Sequence, residues 1–392
     1  MDKFEKACNI LNNESVKCTV LSKDTEILEL IISEYSDIYI KECRVIKDCI
    51  INQGNITNIL NNRFAIFNRL RVKDYLETIG LGSKLNLLRL THGVSLSDCL
   101  WVRFEGESLQ WKDINPFDRT HAFDINWLID KGNVIYNLAL PNYSTEGNFA
   151  KCWYTNNGVH RLVKCGTSGA YNAGLEPISE VMFTQIAEAI GYTDYVKYDY
   201  HYVDYANTEY KYKQSGLLNE TIGYSDKRLC SICECIADEN KALISARDLG
   251  LKSYRDCIRY ARENTLNHID LAKMLLCDCI GYNEDRHLGN IGFEYNPDTL
   301  EVTKVAPMYD NNLSLLCYWE DRIDLQDYIS ELRAKDGSTF SKLAEYVFDE
   351  YPLLFHKLRS ADINLSSEIV INNRIDIIND VVNKNVNMLL TH

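Results

Sequence analysis

One short stretch, Asn283-Glu284-Asp285-Arg286-His287-Leu288-Gly289-Asn290, gathers carboxylate, imidazole and amide groups that could act together. It reads D-R-H-x-x-N and lies between an apolar run ending at Ile280 and a second, Ile291-Gly292-Phe293-Glu294-Tyr295, closed by a turn at Asn296-Pro297-Asp298. The pattern predicts a polar loop between a buried helix and a strand. Asp285 is placed to accept the proton of an attacking hydroxyl. Asn290 offers an amide oxygen to a hard divalent cation, and Asp310, in Ala306-Pro307-Met308-Tyr309-Asp310, offers a carboxylate to the same ion. His287 would position the moving group or brace the loop. A base and two metal anchors are the parts that phosphoryl transfer needs. The competing reading is a solvated link in which Asp285 and Arg286 pair on the surface.

Upstream segments offer the remaining parts. Lys151-Cys152-Trp153-Tyr154-Thr155 and His160-Arg161-Leu162-Val163-Lys164 flank Asn156-Asn157-Gly158, a strong hairpin signal. An apolar run from Val134 to Leu140 suggests a third strand before them. Lys164 ends its strand, from which its ammonium would reach a nucleotide phosphate. A helix follows, with Pro177 suited to its first turn and Gly191 to the position past its end. Glu180 lies early in that helix and would pair with Lys164. The bland alternatives are a solvated strand-end lysine and a carboxylate favoured by the helix dipole. The turn Tyr143 to Asn148 carries Ser144, Thr145, Gly147 and Asn148, which would offer backbone N–H groups to phosphates.

Three strands, one helix, a Tyr-rich strand pair from Tyr195 to Tyr212, then a mainly helical stretch from about Leu217 give an α+β, bilobal pattern. Helices are expected over Tyr254 to Ala261, Ile269 to Ile280 and near Ile375 to Leu390. The expected division is an accessory α/β subdomain over 1–130, an antiparallel-sheet lobe over 131–215 and a helical lobe over 216–392.

The loop from Asp285 to Asn290, the later Asp310 segment, the strand Leu162-Val163-Lys164 and the helix opening Ser179-Glu180-Val181-Met182 together resemble the HipA-type serine/threonine kinases, over about residues 134–320. The resemblance implies a protein-kinase-like fold using ATP and Mg2+. It implies Asp285 as catalytic base, Asn290 and Asp310 as Mg2+ ligands and Lys164 as the ATP-phosphate lysine. It also implies a protein substrate and raises autophosphorylation at Ser144 or Thr145. Several members of that family are toxins held by a DNA-binding antitoxin, so an antitoxin-like partner is implied too. Two segments depart from the family. Residues 1 to about 130 do not clearly match the subdomain those toxins turn toward their antitoxin, and the Tyr143 to Asn148 loop differs from the toxin loop. A lipid or small-molecule kinase and an ATP-binding regulatory pseudokinase are the alternatives.

Composition bounds these readings. The chain has 392 residues, 46% of them hydrophobic, enough for a large core without disulfides. No apolar run approaches the ~18 residues of a membrane helix, and the start, Met1-Asp2-Lys3-Phe4-Glu5-Lys6, has no long apolar stretch of a secretory signal. A cytoplasmic, membrane-free protein is expected. The net charge of -14 argues against direct binding to a nucleic-acid backbone. The 14 cysteines are scattered. Cys230, Cys233 and Cys235 lack a second pair at zinc spacing, while Cys277 and Cys279 fit a helical apolar pattern as core fillers.

Overall fold

The computed structural model describes residues 15–68, 77, 82–118, 151–167, 174–204, 212–214, 223–225, 227–369, 371 and 373–391. The predicted strand from Val134 to Leu140 lies outside them. The first unit opens with three antiparallel strands, β1 (Val16–Ser22), β2 (Thr25–Glu34) and β3 (Ile38–Val45). Alternate positions of β1, Val16, Cys18 and Val20, point into the core, as a strand with one covered face requires. Helices α1 (Ile56–Asn62) and α2 (Lys84–Thr91) follow, the latter capped by the Ser83 hydroxyl, which accepts from the Asn86 N–H. Strand β4 (Leu100–Phe104) returns to β1, giving the order β3-β2-β1-β4, and the short helix α3 (Trp111–Ile114) comes after it.

The second sheet is built on the predicted hairpin. Strands β5 (Lys151–Asn156) and β6 (Val159–Cys165) turn at Asn157 and Gly158, both at positive φ. Helix α4 (Glu176–Ala189) then begins with Pro177 in its first turn and is followed by Gly191 at φ +70°. Ile178, Met182, Phe183 and Ile186 bury one face of it. Strand β7 (Asp199–Asp204) follows. The Tyr-rich stretch departs from the expected strand pair, because β7 and β8 (Tyr212–Gln214) do not pair with each other. β8 pairs with β9 (Gly223–Ser225), and β7 pairs with β10 (Lys227–Glu234). β10 lies beyond the point where the sequence reads as mainly helical, and it bridges β6 and β7 in the order β5-β6-β10-β7. Its Leu229, Cys230, Ser231 and Cys233 are all buried, so it lacks the polar alternation that marks a strand with one wet face.

A third sheet, β11-β12-β13, combines β11 (Ala242–Ser245) with the hairpin β12 (Gly292–Asn296) and β13 (Glu301–Val305). Between β11 and β12 run α5 (Tyr254–Asn264) and α6 (Ile269–Gly281). Helix α6 is buried nearly all round, with Leu271, Leu275, Leu276, Cys279 and Ile280 inside, as a helix at the centre of a core must be. It ends at Tyr282, which takes a left-handed conformation at φ 52° and turns the chain into the D-R-H-x-x-N loop. Helices α7 (Leu325–Glu331), α8 (Phe340–Glu350), α9 (Leu353–Leu358) and α10 (Arg374–Leu389) complete the helical part.

Antiparallel sheets ahead of a mainly helical portion, with an extra N-terminal α/β unit, are the α+β class the sequence predicts. The N-terminal unit is tied to the third sheet. The Ser22 hydroxyl donates to the Pro297 carbonyl at 2.7 Å, Lys23 pairs with Asp298 at 2.9 Å, and the Leu243 N–H donates to the Ser97 carbonyl at 2.8 Å. Among the described residues no helix is long and apolar enough to cross a membrane.

Candidate active site

Lys164 lies one residue before the end of β6, opposite Ser231 of β10. Its side chain is 5% exposed, and Nζ donates to Glu180 Oε1 at 2.5 Å and to Asp310 Oδ1 at 2.6 Å. The Ser231 hydroxyl donates to the other Glu180 oxygen at 2.6 Å, and the Tyr198 ring lies under the ammonium at 5.6 Å. Glu180 is fully buried, so neither it nor Lys164 is the solvated residue of the bland reading. Burial works against the charged lysine, but Asp310 and Glu180 outweigh it and hold its pKa above the usual range. Burial likewise works against the Asp310 carboxylate, yet Lys164 and Lys151 hold its pKa well below the ordinary value. Both groups are therefore charged at neutral pH.

The D-R-H-x-x-N loop is built from beneath. Arg286, 1% exposed, grips Asp278 on α6 through Nε at 2.9 Å and Nη2 at 3.1 Å. Its Nη1 donates to the carbonyls of Asn290 at 3.1 Å and Tyr309 at 2.6 Å, and its Nη2 to the Asn311 side chain. One buried guanidinium thus ties helix α6, the loop and the Asp310 segment together, which a planar fork of donors can do and an ammonium cannot. The surface pair of Asp285 with Arg286 is excluded. Arg286 and Asp278 are the site residues that the sequence reading misses. Asp278, a carboxylate within the apolar 274–280 end of the helix, is the signal that points to them, because a buried carboxylate needs a partner.

Asn290 is buried, and its Nδ2 donates to the Asp285 carbonyl at 3.0 Å. His287 Nδ1 accepts from the Gly289 N–H at 3.0 Å. Burial holds the His287 pKa below its usual range despite the nearby Asp285 and Asp310 carboxylates. The ring is then neutral at pH 7 and carries its proton on Nε2. Asp285 faces elsewhere. Its Oδ1 accepts from Lys335 Nζ at 2.7 Å, on the rim of the loop.

Lys164, His287, Asn290 and Asp310 line one cavity of about 460 Å³, which is within the size range of small-molecule sites. Asp285 does not line it, and Glu180 stands behind Lys164. The cavity extends past Leu243 and Arg247 to Asn62, Arg63 and Asp98 of the N-terminal unit. There Arg63 holds both oxygens of Asp98 at 2.7 Å, and Asn62 donates to Asp248 at 2.7 Å. Residues of the N-terminal third thus form one wall of the cleft. Ser144, Thr145, Gly147 and Asn148 lie outside the described residues.

Among the described residues no group of three or more His, Cys, Asp or Glu side chains gathers as a metal cage. Cys233 of β10 is buried among apolar side chains, and Cys235, just past the strand, is half-buried. A divalent cation brought in with nucleotide phosphates needs only one or two protein oxygens. Asn290 and Asp310 fit that demand. The Asn290 amide nitrogen is engaged with the Asp285 carbonyl, which leaves Oδ1 as its accepting atom. Asp310 meets Lys164 through Oδ1 and has a second carboxylate oxygen.

A strand lysine paired to a helix glutamate and a helix–loop–strand unit bearing D-R-H-x-x-N thus meet at one cavity, on a fold of antiparallel sheets and helices. No protein-family model matches the chain, and no curated protein matches it. Solved structures with some likeness to it include the Helicobacter pylori proinflammatory kinase CtkA, at 13% identity and a TM-score of 0.38, over 62% of this chain and 93% of that one. HipA of Shewanella oneidensis MR-1, solved with HipB and operator DNA, aligns at 15% identity and a TM-score of 0.47, over 95% of this chain and 96% of that one. A Golgi casein kinase aligns at 12% identity and a TM-score of 0.34, over 63% and 71%. At these scores the chemistry has to rest on the cleft's own residues.

Proposed function

We propose that this protein is a HipA-type kinase that transfers the γ-phosphoryl group of ATP to a Ser or Thr hydroxyl of a protein. The observation that carries the proposal is Lys164, bridged between Glu180 and Asp310 at the wall of a cavity that His287 and Asn290 also line. A buried lysine held by two carboxylates is poised for a polyphosphate: the charge is fixed in place, and water is largely excluded. In the proposed complex, Lys164 moves part of its hydrogen bonding from Asp310 to the phosphates. The neutral His287 offers its Nε2–H to a phosphoryl oxygen. Asp285 takes the hydroxyl proton as the acceptor oxygen attacks. Asn290 and Asp310 would hold Mg2+, which supplies charge neutralisation on the phosphates when bound. The domain limits near 130 and 215 belong to this proposal, as does a toxin-type role with an antitoxin-like partner and autophosphorylation at Ser144 or Thr145.

The test is transfer of label from γ-labelled Mg-ATP to proteins of an extract, with phosphosites read by mass spectrometry. Asp285→Ala and Asp310→Ala are each expected to abolish transfer while the protein remains folded. Full activity in both variants would overturn the mechanism, and label found in lipid rather than protein would redirect the acceptor.

A further inference from the structure

Two members of the D-R-H-x-x-N set, Asp285 and Arg286, do not line the cavity: Arg286 turns inward to Asp278, and Asp285 meets a lysine 50 residues later in the chain. Lys335 sits in the connection between α7 and α8. That connection is braced rather than slack. The Gly337 N–H donates to the Ala334 carbonyl at 2.8 Å, the Ala334 N–H to the Ser338 carbonyl at 2.9 Å, and the Asp336 carboxylate accepts from both the Ser338 N–H and hydroxyl. Gly337 supplies the left-handed turn at φ +84°. Leu332 and Ala334 are buried and anchor the approach. The backbone under Lys335 is therefore fixed, while its side chain stays 50% exposed beside an Asp285 side chain that is 21% exposed.

We propose that Lys335 is a positioning residue for phosphoryl transfer, holding the Asp285 carboxylate turned toward the acceptor hydroxyl through its contact with Oδ1. The inference rests on the reading of Asp285 as proton acceptor. Three features support it. Lys335 occupies Oδ1 alone, so the second oxygen is left for the hydroxyl. The ammonium has three N–H donors, and the contact with Oδ1 uses one. The pair stands outside the cavity that Lys164 and Asp310 line and is open to solvent, as contact with an acceptor too bulky to enter the cavity would require. In the step served, the acceptor oxygen bonds to the γ-phosphorus as the bond to the β-bridging oxygen breaks. The proton passes to Asp285, and ADP leaves with the bridging electron pair. Lys335 keeps the Asp285 carboxylate in one orientation while the proton is transferred to its other oxygen.

The experiment compares the full-length chain with Lys335→Ala, Lys335→Arg, Asp285→Ala and the double variant, measuring γ-phosphoryl transfer from Mg-ATP to extract proteins. Lys335→Ala is expected to lower kcat by about tenfold or more with KM for ATP unchanged, since a general base contributes roughly 10²–10⁴-fold and would be only partly disabled. Lys335→Arg should recover most of the rate. The double variant should be no slower than Asp285→Ala, as expected of residues that act as one unit. Unchanged or faster transfer in Lys335→Ala would overturn the proposal, the faster rate marking Lys335 as a mask on the base. So would a Lys335→Arg variant no faster than Lys335→Ala. A chain in which Asp285→Ala keeps full activity, or in which the unmodified protein transfers nothing, overturns the underlying reading instead. Melting curves of all variants separate these results from unfolding, and an exposed lysine on a braced loop leaves the core intact.

Discussion

Arg286 and Asp278 form a buried ion pair directly beneath the loop that carries Asp285, with both side chains 1% exposed. The pair does not sit in the cleft, yet it determines where the cleft residues stand. Asp278 belongs to α6, while Arg286 also holds the carbonyls of Asn290 and Tyr309. The residue after Tyr309 is Asp310, held at φ 57° in the left-handed region. An aspartate tolerates that region better than a branched residue, but it is kept there by the surrounding bonds. Two segments separated by a β-hairpin are thus aligned by one side chain.

Arg286→Met removes the cation, leaves Asp278 with the Asn283 amide but no counter-charge, and takes a donor from the Asn290 and Tyr309 carbonyls. The expected cost is about 3–5 kcal/mol, the usual penalty for breaking a buried pair from one side. Arg286→Lys keeps the charge but loses the fork, so it should fold better than Arg286→Met and still transfer phosphate poorly. Urea midpoints and initial rates on the two variants check this. A fully active Arg286→Lys would show that the carbonyl contacts do not align the site.

Lys164→Met leaves Glu180 and Asp310 facing each other across a water-poor space. Loss of the phosphate-facing charge should reduce transfer by about 10²-fold or more. Stability should fall as well, by about 3 kcal/mol or more, because a fully buried carboxylate loses its cation. ATP calorimetry alongside denaturation separates the two effects. Normal ATP affinity in a folded Lys164→Met protein would contradict the assigned role.

Asp310 links the site to pH. Burial opposes its charge, but Lys164 and Lys151 prevail and hold its carboxyl well below the ordinary value of 3.8. As pH falls past that value, the unfolded chain takes up this proton before the folded chain does. The stabilisation from Asp310 is therefore complete above the unfolded value and is lost as pH falls toward the folded one. Wild type should melt higher than Asp310→Asn by a constant margin across neutral pH, and the margin should close from about pH 4 downward. Differential scanning calorimetry across that range gives the answer, and a margin that widens in acid would refute it.

Gly281, the last residue of α6, lies against α4. A Cβ there would come within 2.5 Å of the Phe183 ring and 2.8 Å of Ile186. Gly281→Ala should therefore force α4 outward, at about 1–3 kcal/mol for overpacking. Because α4 carries Glu180, the same change should weaken the bridge to Lys164 and slow transfer. Adding Phe183→Leu should restore part of both. Failure of the second substitution to compensate would place the strain elsewhere.

Much of this architecture is legible locally. Asn157-Gly158 and the strands around it, Pro177 and Gly191 around α4, and the apolar run of α6 all declare themselves, because each depends on conformational preferences within a few residues. β10 does not. Its face is covered on both sides, so its alternation is erased, and its partners β6 and β7 are distant in the sequence. The Tyr-rich stretch misleads for the same reason: it contains strands, but the choice between β8 and β10 as the neighbour of β7 is made by tertiary packing.

For the proposed site, the residue types and their spacing nominated Asp285, His287, Asn290, Asp310, Lys164 and Glu180, because phosphate chemistry would need such groups whatever their surroundings. Spacing along the chain could not show that Arg286 points inward to Asp278, that Asp285 turns out to Lys335, or that Arg63 and Asp98 wall the cavity. Those facts depend on which distant segments meet. A charged side chain reads the same in a sequence whether water or a buried counter-charge awaits it, and only the folded chain makes that choice.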